Sequence, residues 1–165
     1  MRAIVILFIV FGSLSLQAQN DSCLVYNVNE IKVFELIPEL AVKYRINTST
    51  ILGQMAGILT REKDKITFTS SNKYLDFAFE KIQSYLDENP DFEKDNYIIQ
   101  LVFFKTEKKN YVSVIFMEVP FEGYLLENSC FSGLILSVMG GGDSFFYKVY
   151  DLDTKELVKE HVNGW

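Results

Sequence analysis

The spacing of hydrophobic residues changes near residue 95, and this change constrains the fold more than any other feature of the chain. From Tyr74 to Leu86 apolar residues recur every three or four positions, which predicts an amphipathic helix over about residues 71–88. Beyond Asp95 apolar and polar residues alternate in short segments, which predicts strands joined by tight turns. A helix followed by a run of strands is typical of an α+β fold with helices on one face of a sheet.

The strand-like segments follow one another closely, so we predict an antiparallel meander of four to five strands. Polar or Gly-rich turns separate them, including Gly140-Gly141-Gly142-Asp143, where glycine allows a tight reversal. A short strand before the helix is also predicted. The predicted strands are Ile66–Thr69, Tyr97–Lys105, Tyr111–Val119, Phe131–Met139, Phe145–Tyr150 and about Glu156–Val162.

Residues Asn29–Arg45 carry apolar side chains at helical spacing, which predicts N-terminal helical segments. Pro38 interrupts the pattern, so we expect a kink or two consecutive short helices there. Residues 46–60 are ambiguous, because Gly53 and Gly57 weaken what is otherwise a pattern for a buried helix.

The first residues have the pattern of a secretory signal peptide ending near Ala18. Arg2 is followed by the apolar run Ala3–Phe11, and smaller residues lead to the expected cleavage point. The apolar run is shorter than the roughly 20 residues that a transmembrane helix needs. We therefore predict a signal peptide over 1–18, a single α+β domain over 19–165, a secreted or periplasmic location, and no stable membrane span after cleavage.

The chain has two cysteines, Cys23 and Cys130, and both follow the predicted signal peptide. In an oxidising compartment the simplest expectation is a disulfide between them, which would tie the N-terminal segment to the strand-rich half. A reactive thiol is the alternative, but the chain has no Cys-x-x-Cys motif to support it.

Charge and ligand-type residues exclude several classes of function. The formal net charge is −6, which argues against a nucleic-acid partner because such proteins usually present a basic surface. With one histidine and two cysteines we expect neither a metal centre nor a cofactor. The acidic segment from Asp87 to Asp95 resembles a calcium loop, but Phe92 replaces the required glycine and Ile98 the closing glutamate. A solvated acidic loop is the favoured interpretation.

Residues Gly142-Asp143-Ser144-Phe145 resemble the sequence block of the GDSL hydrolases, in which the serine is the nucleophile. Those enzymes carry this block near the N-terminus and an Asp-x-x-His pair near the end, whereas here Val158 stands three residues before His161. A serine nucleophile needs a base and an orienting acid. We therefore interpret the segment as a hairpin turn, predict no catalytic residues, and expect the protein not to be an enzyme.

Aromatic residues supply the one signal that favours binding. The chain contains 14 Phe and 9 Tyr, and Phe145-Phe146-Tyr147 places rings on both faces of one predicted strand. If some rings are exposed, they form a candidate binding surface, for which we select Phe121, Tyr124, Phe145, Tyr147 and Tyr150.

These observations favour an exported, non-catalytic binding protein that acts through contacts with an unknown protein partner. An inhibitor, an immunity-type protein or an envelope accessory factor would fit. The alternative is a carrier that holds a small apolar ligand in a cavity between the helix and a curved sheet. The oligomeric state is left open.

Overall fold

The protein was analysed as a computed structural model, in which residues 23–37, 66–69, 72–106, 108–119, 132 and 142–163 are described. Within these ranges the chain forms one α-helix and a sheet of seven strands. The elements are β1 (Val25–Val28), β2 (Ile31–Glu35), β3 (Thr67–Phe68), α1 (Leu75–Glu88), β4 (Tyr97–Lys105), β5 (Asn110–Glu118), β6 (Gly142–Asp151) and β7 (Leu157–Asn163).

The strand order is β1-β2-β4-β5-β6-β7, and β3 pairs with β4 as well. All pairs are antiparallel except β2 with β4, which run parallel with Val33 opposite Ile99. β3 lies beyond the end of β2 on the same edge of β4, with Phe68 opposite Phe104. The α+β class is thus confirmed, whereas the purely antiparallel sheet and the count of four to five strands are wrong.

The prediction of helix is wrong for Asn29–Ile37, which contain the β1–β2 turn and β2. Along β2 and the residue after it, the side chains of Ile31 and Val33 are buried on one face, and those of Phe34 and Leu36 on the other. A strand buried on both faces lacks the polar alternation of a surface strand, so its apolar spacing can imitate a helix. The remainder of the predicted N-terminal helices, residues 38–60, lies outside the described part of the chain.

α1 confirms the predicted amphipathic helix and ends at Glu88, immediately before Asn89-Pro90. A 3-10 turn over Asn72–Tyr74 precedes it. The Asn89 side chain caps the C-terminal end of α1, since its Nδ2 donates a hydrogen bond to the Tyr85 carbonyl at 2.8 Å. The buried side chains of α1 face the sheet: Phe77, Ala78, Ile82 and Leu86.

Two apolar clusters bury the central strands of the sheet, one on each face. The first apolar cluster lies beneath α1 and includes Ile99, Val114 and Phe116, and the second lies on the opposite face and includes Ile98 and Ile115. Side chains from alternate positions of β4 and β5 enter different clusters, as the two-residue repeat of a strand requires. The central strands β4 and β5 are therefore buried on both faces. The predicted signal peptide and the predicted strand Phe131–Met139, apart from Ser132, lie outside the described residues.

Candidate functional site

Of the five aromatic residues selected as a candidate binding surface, the three that the structure describes are buried. Phe145 and Tyr147 are 6 % exposed and Tyr150 is 8 % exposed, so all three rings belong to the core. Phe145 and Tyr147 enter the cluster opposite α1, whereas Tyr150 lies beneath α1 with its ring edge-on to Phe77 at 5.9 Å. Both faces of β6 are buried at these positions, so these three rings offer little accessible surface, and their role in binding stays a prediction. Phe121 and Tyr124 lie outside the described residues.

Burial also changes the acidity of these phenols. Desolvation raises the pKa of Tyr147, and it raises the pKa of Tyr150 to about 12 with a smaller contribution from Glu160 and Glu88. Both hydroxyl groups therefore stay neutral at physiological pH. They contribute as core side chains.

Among the described residues, exposed large apolar side chains lie at both ends of the strand order: Leu24 and Val25 at β1, and a group of three on β7, the last strand. Leu157, Val158 and Val162 are 47 %, 41 % and 45 % exposed, and β6 is the one strand that pairs with β7 within the described ranges. Val149 lies opposite Lys159 and Tyr150 lies opposite Leu157, so Val158 is the extra residue of a β-bulge. Natural edge strands usually carry outward charges that prevent strand addition, so an apolar edge is a candidate contact surface.

The charged side chains of β7 contact groups on its own sheet. Glu160 forms an ion pair with Lys148, with Oε1 and Nζ 3.2 Å apart. The same Lys148 Nζ lies 4.8 Å from the centre of the Tyr85 ring. Lys159 Nζ lies 5.9 Å from the Tyr147 ring, and burial lowers the pKa of this lysine. The charges of β7 are thus engaged with β6 and α1, while its apolar side chains are exposed to solvent.

A cleft of about 350 Å³ opens beyond the C-terminal end of α1. Its aromatic wall is formed by Tyr85 and Phe92, whose rings meet edge-on at 5.5 Å. Carboxylates border it, and within the described ranges no group of three His, Cys, Asp or Glu could hold a metal ion. The acidic side chains of the predicted acidic loop are exposed there, as a solvated loop requires. The lining residues are Tyr85, Glu88, Asn89, Pro90, Asp91 and Phe92.

Ser144 and His161, the pair that a hydrolase would need, are not brought together. Ser144 Oγ donates a short hydrogen bond to the Glu118 carboxylate. The centre of the His161 ring on β7 lies 5.1 Å from that of Tyr147, and Tyr147 belongs to the cluster opposite α1. Ser144 lies two residues before Phe146, which belongs to the cluster beneath α1, so the two side chains occupy different faces of the sheet.

A buried carboxylate on β2 is a feature that the sequence did not single out. Glu35 is fully buried, and its Oε2 accepts a hydrogen bond from the Tyr26 hydroxyl of β1 at 2.9 Å. Its second oxygen, Oε1, has no hydrogen-bond partner in the part of the chain that is described. Burial and the neighbouring Glu35 carboxylate raise the pKa of Tyr26 to about 12. The sequence feature that could have indicated this buried carboxylate is an acidic residue between apolar neighbours within Val33–Ile37.

The expected disulfide involves Cys130, which lies outside the described residues, so the bond stays a prediction. Ser132 is described, and its Oγ lies 3.6 Å from Cys23 Sγ. The same hydroxyl accepts from the Leu24 amide at 3.1 Å and donates to the Leu24 carbonyl at 3.2 Å. A residue two positions after Cys130 therefore lies beside Cys23, which supports the predicted pairing.

Taken together, the described residues define a mixed-sheet α+β protein with a filled core and an apolar edge strand. Within them, no helix has the length and apolar character needed to cross a lipid bilayer. The chain matches no known protein family, no curated protein and no solved structure. Function must therefore be inferred from the geometry alone.

Proposed function

We propose that the protein is an exported, non-catalytic binding protein whose contact surface is the β7 edge. The observation that carries this proposal is the exposure of Leu157, Val158 and Val162 on a strand whose outer backbone groups can pair with a further strand. Export rests on the predicted signal peptide. An inhibitor, an immunity-type protein or an envelope accessory factor would use such a surface.

The partner is an extended polypeptide segment that adds to β7. Strand addition supplies affinity through backbone hydrogen bonds, and alternate side chains give specificity. The apolar side chains of β7 would pack against apolar side chains of that segment. The formal charge of −6 favours a basic partner, since opposite net charges speed encounter and exclude acidic competitors.

The apolar-ligand carrier is the alternative, and the described residues favour it less. A carrier needs an apolar cavity between α1 and the sheet, but rings fill that space: Phe116 and Phe146 stack at 4.5 Å, and Tyr85 lies 4.8 Å from Phe116. The cleft at the end of α1 is bordered by Glu88 and Asp91, which suit an apolar ligand poorly.

A pair of matched variants tests the β7 edge. Val162→Lys places a charge on β7, and Val25→Lys places the same charge on β1, where Val25 is 43 % exposed, close to the 45 % of Val162. The folded protein is used to capture polypeptides from the source, and bound species are identified by mass spectrometry. We expect the same polypeptide with wild type and Val25→Lys, and a loss of at least tenfold with Val162→Lys.

The outcomes separate the proposals. Equal recovery by both lysine variants would show that β7 is not the contact surface. Recovery of a small apolar molecule in the organic extract, without a polypeptide, would favour the carrier. Circular dichroism of both variants confirms that the substitutions leave the fold intact.

A further inference from the structure

β1 covers a side chain that is poorly suited to burial. Glu35 is 0 % exposed, yet it receives a single hydrogen bond, from Tyr26. The other oxygen, Oε1, has no partner within the described ranges. A buried polar atom without a hydrogen bond raises the free energy of the state that buries it, and a carboxylate raises it more than a neutral group does.

β1 is also a short strand at the edge of the described sheet, anchored just before its first residue, where Ser132 Oγ hydrogen-bonds to the Leu24 amide and carbonyl. It has four residues, it lies at the end of the strand order, and Val25 and Leu24 are exposed. The two-residue turn to β2 places both Asn29 and Glu30 at positive φ, 49° and 73°. Asparagine adopts this conformation readily, but it is unfavourable for glutamate.

Two contacts hold β1 against α1. The Tyr26 ring meets the Phe79 ring edge-on at 5.3 Å, and Asn29 Nδ2 donates to Gln83 Oε1 at 2.6 Å. The Asn29–Gln83 hydrogen bond is exposed, so water can replace it at little cost. By contrast β2 is held on its other side by β4, whose residues from Ile98 to Phe104 are buried.

We propose that β1 opens as a local flap while β2 stays paired with β4, and that the Tyr26–Glu35 hydrogen bond sets how often it opens. In the closed form Tyr26 satisfies one oxygen of the buried carboxylate. In the open form water hydrates both oxygens, and the backbone groups of β2 that faced β1 become a free sheet edge. This opening does not depend on the proposed function of β7.

Neighbouring amides of β2 report the two sides of the strand separately. The Glu35 amide donates to the Leu24 carbonyl on the β1 side at 3.0 Å, whereas the Leu36 amide donates to the Leu101 carbonyl of β4 at 2.9 Å. Because amides alternate in direction along a strand, the Val33 amide also points toward β1. A flap that opens alone exposes Val33 and Glu35 to exchange but leaves Leu36 protected.

Hydrogen exchange of the full chain, resolved by amide with NMR, tests the proposal. We expect Val33 and Glu35 to exchange at least tenfold faster than Leu36 at low denaturant. Tyr26→Phe should accelerate Val33 and Glu35 roughly tenfold without changing Leu36, because Glu35 loses its hydrogen bond. Glu35→Leu should slow the same amides, since the cost of burying the carboxylate disappears.

The control is Tyr150→Phe, which removes a buried hydroxyl at the other end of the sheet and should leave Val33 unchanged. Exchange of Val33 and Leu36 at one common rate, set by global unfolding, would overturn the proposal. Exchange of the Val33 and Glu35 amides in Tyr26→Phe at the wild-type rates would also overturn the proposal. Should a variant fail to fold, the denaturant dependence of wild-type Val33 and Leu36 still decides between local and global opening.

Discussion

Asp151 and Glu35 are both fully buried carboxylates, yet the structure treats them in opposite ways. Asp151 Oδ2 accepts from Lys109 Nζ at 2.6 Å, and its Oδ1 accepts from the amides of Asp153 and Thr154 at 2.9 and 3.1 Å. Glu35 has the Tyr26 hydroxyl on one oxygen. The first carboxylate is satisfied on both oxygens and the second is not.

The two carboxylates differ in hydrogen bonding because they join different parts of the structure. Asp151 ends β6, and its bonds close the turn to β7 and join it to Lys109 before β5. Burial alone would raise the pKa of Asp151, but Lys109 and the two turn amides hold that pKa below its ordinary value. One end of the sheet is thus fixed by a charge network, whereas β1 and its turn contact α1 through an aromatic pair and an exposed hydrogen bond. Local stability is expected to differ accordingly.

Among the tests of this contrast, the largest change in unfolding free energy is expected from substituting Cys23, which lies two residues before β1. Cys23→Ser removes the predicted bond to Cys130, which closes a loop of about 100 residues, and should cost about 2–4 kcal/mol of unfolding free energy. Urea unfolding with and without a reductant measures it, and the wild type with reductant should match the variant. If alkylation without reductant adds two labels to the intact protein, the bond does not exist.

The next largest effect should come from breaking the satisfied site. Asp151→Ala removes a buried carboxylate that accepts from two turn amides and from Lys109, so we expect a loss of about 2–3 kcal/mol in unfolding free energy. Asp153→Ala is the matched control, because Asp153 is exposed and accepts from the Asn110 amide at a longer 3.3 Å. Equal losses in denaturant unfolding for the two variants would show that the Asp151 network does not stabilise the turn.

The sequence predicted the parts of the fold that depend on local pattern. α1 has one apolar stripe, and Tyr97–Lys105 has the same bounds as β4, because β-branched and aromatic residues there follow a clear turn. β2 was missed although it forms a hairpin with β1, because the Asn29-Glu30 turn between them contains no glycine and the other partner of β2, β4, lies more than sixty residues away. Helical spacing in Val33–Ile37 was therefore misleading.

The candidate site could be predicted less well, because exposure depends on what covers a strand. Phe145 and Tyr147 were expected to be partly exposed, but the face opposite α1 is buried too. Leu157 and Val162 lie in a predicted strand, yet their exposure follows from β7 being last in the strand order, which no local pattern states. The Tyr26–Glu35 pair depends on β1–β2 pairing and was likewise out of reach.

A smaller effect is expected in alkaline solution, where it reports on the loosely held edge. The pKa of Tyr26 is raised from 10.0 to about 12 in the folded protein, so folding favours the protonated phenol. Its contribution is complete below pH 10 and is lost as the pH rises from 10 to 12. We expect a loss of about 1 kcal/mol, since solvent screens this partly buried group.

Tyr26→Phe should remove part of that alkaline dependence in urea titrations. Tyr150 has the same direction of shift, with a pKa of about 12, so Tyr150→Phe serves as the comparison. If both variants lose stability between pH 10 and 12 as steeply as wild type, the two phenols are not the source of the effect.

The smallest effect should appear in acid and report on the satisfied carboxylate. The pKa of Asp151 is lower in the folded protein than its ordinary value of 3.8, so folding favours the ionised form. This contribution is complete above pH 3.8 and is lost as the pH falls through the lower, folded value. Urea midpoints measured from pH 5 downward should therefore decrease, and Asp151→Asn, which cannot ionise, should decrease less. Parallel pH profiles for wild type and Asp151→Asn would contradict this. The Lys109 and turn-amide contacts would then stabilise Asp151 equally in both protonation states, and its contrast with Glu35 would be one of packing alone.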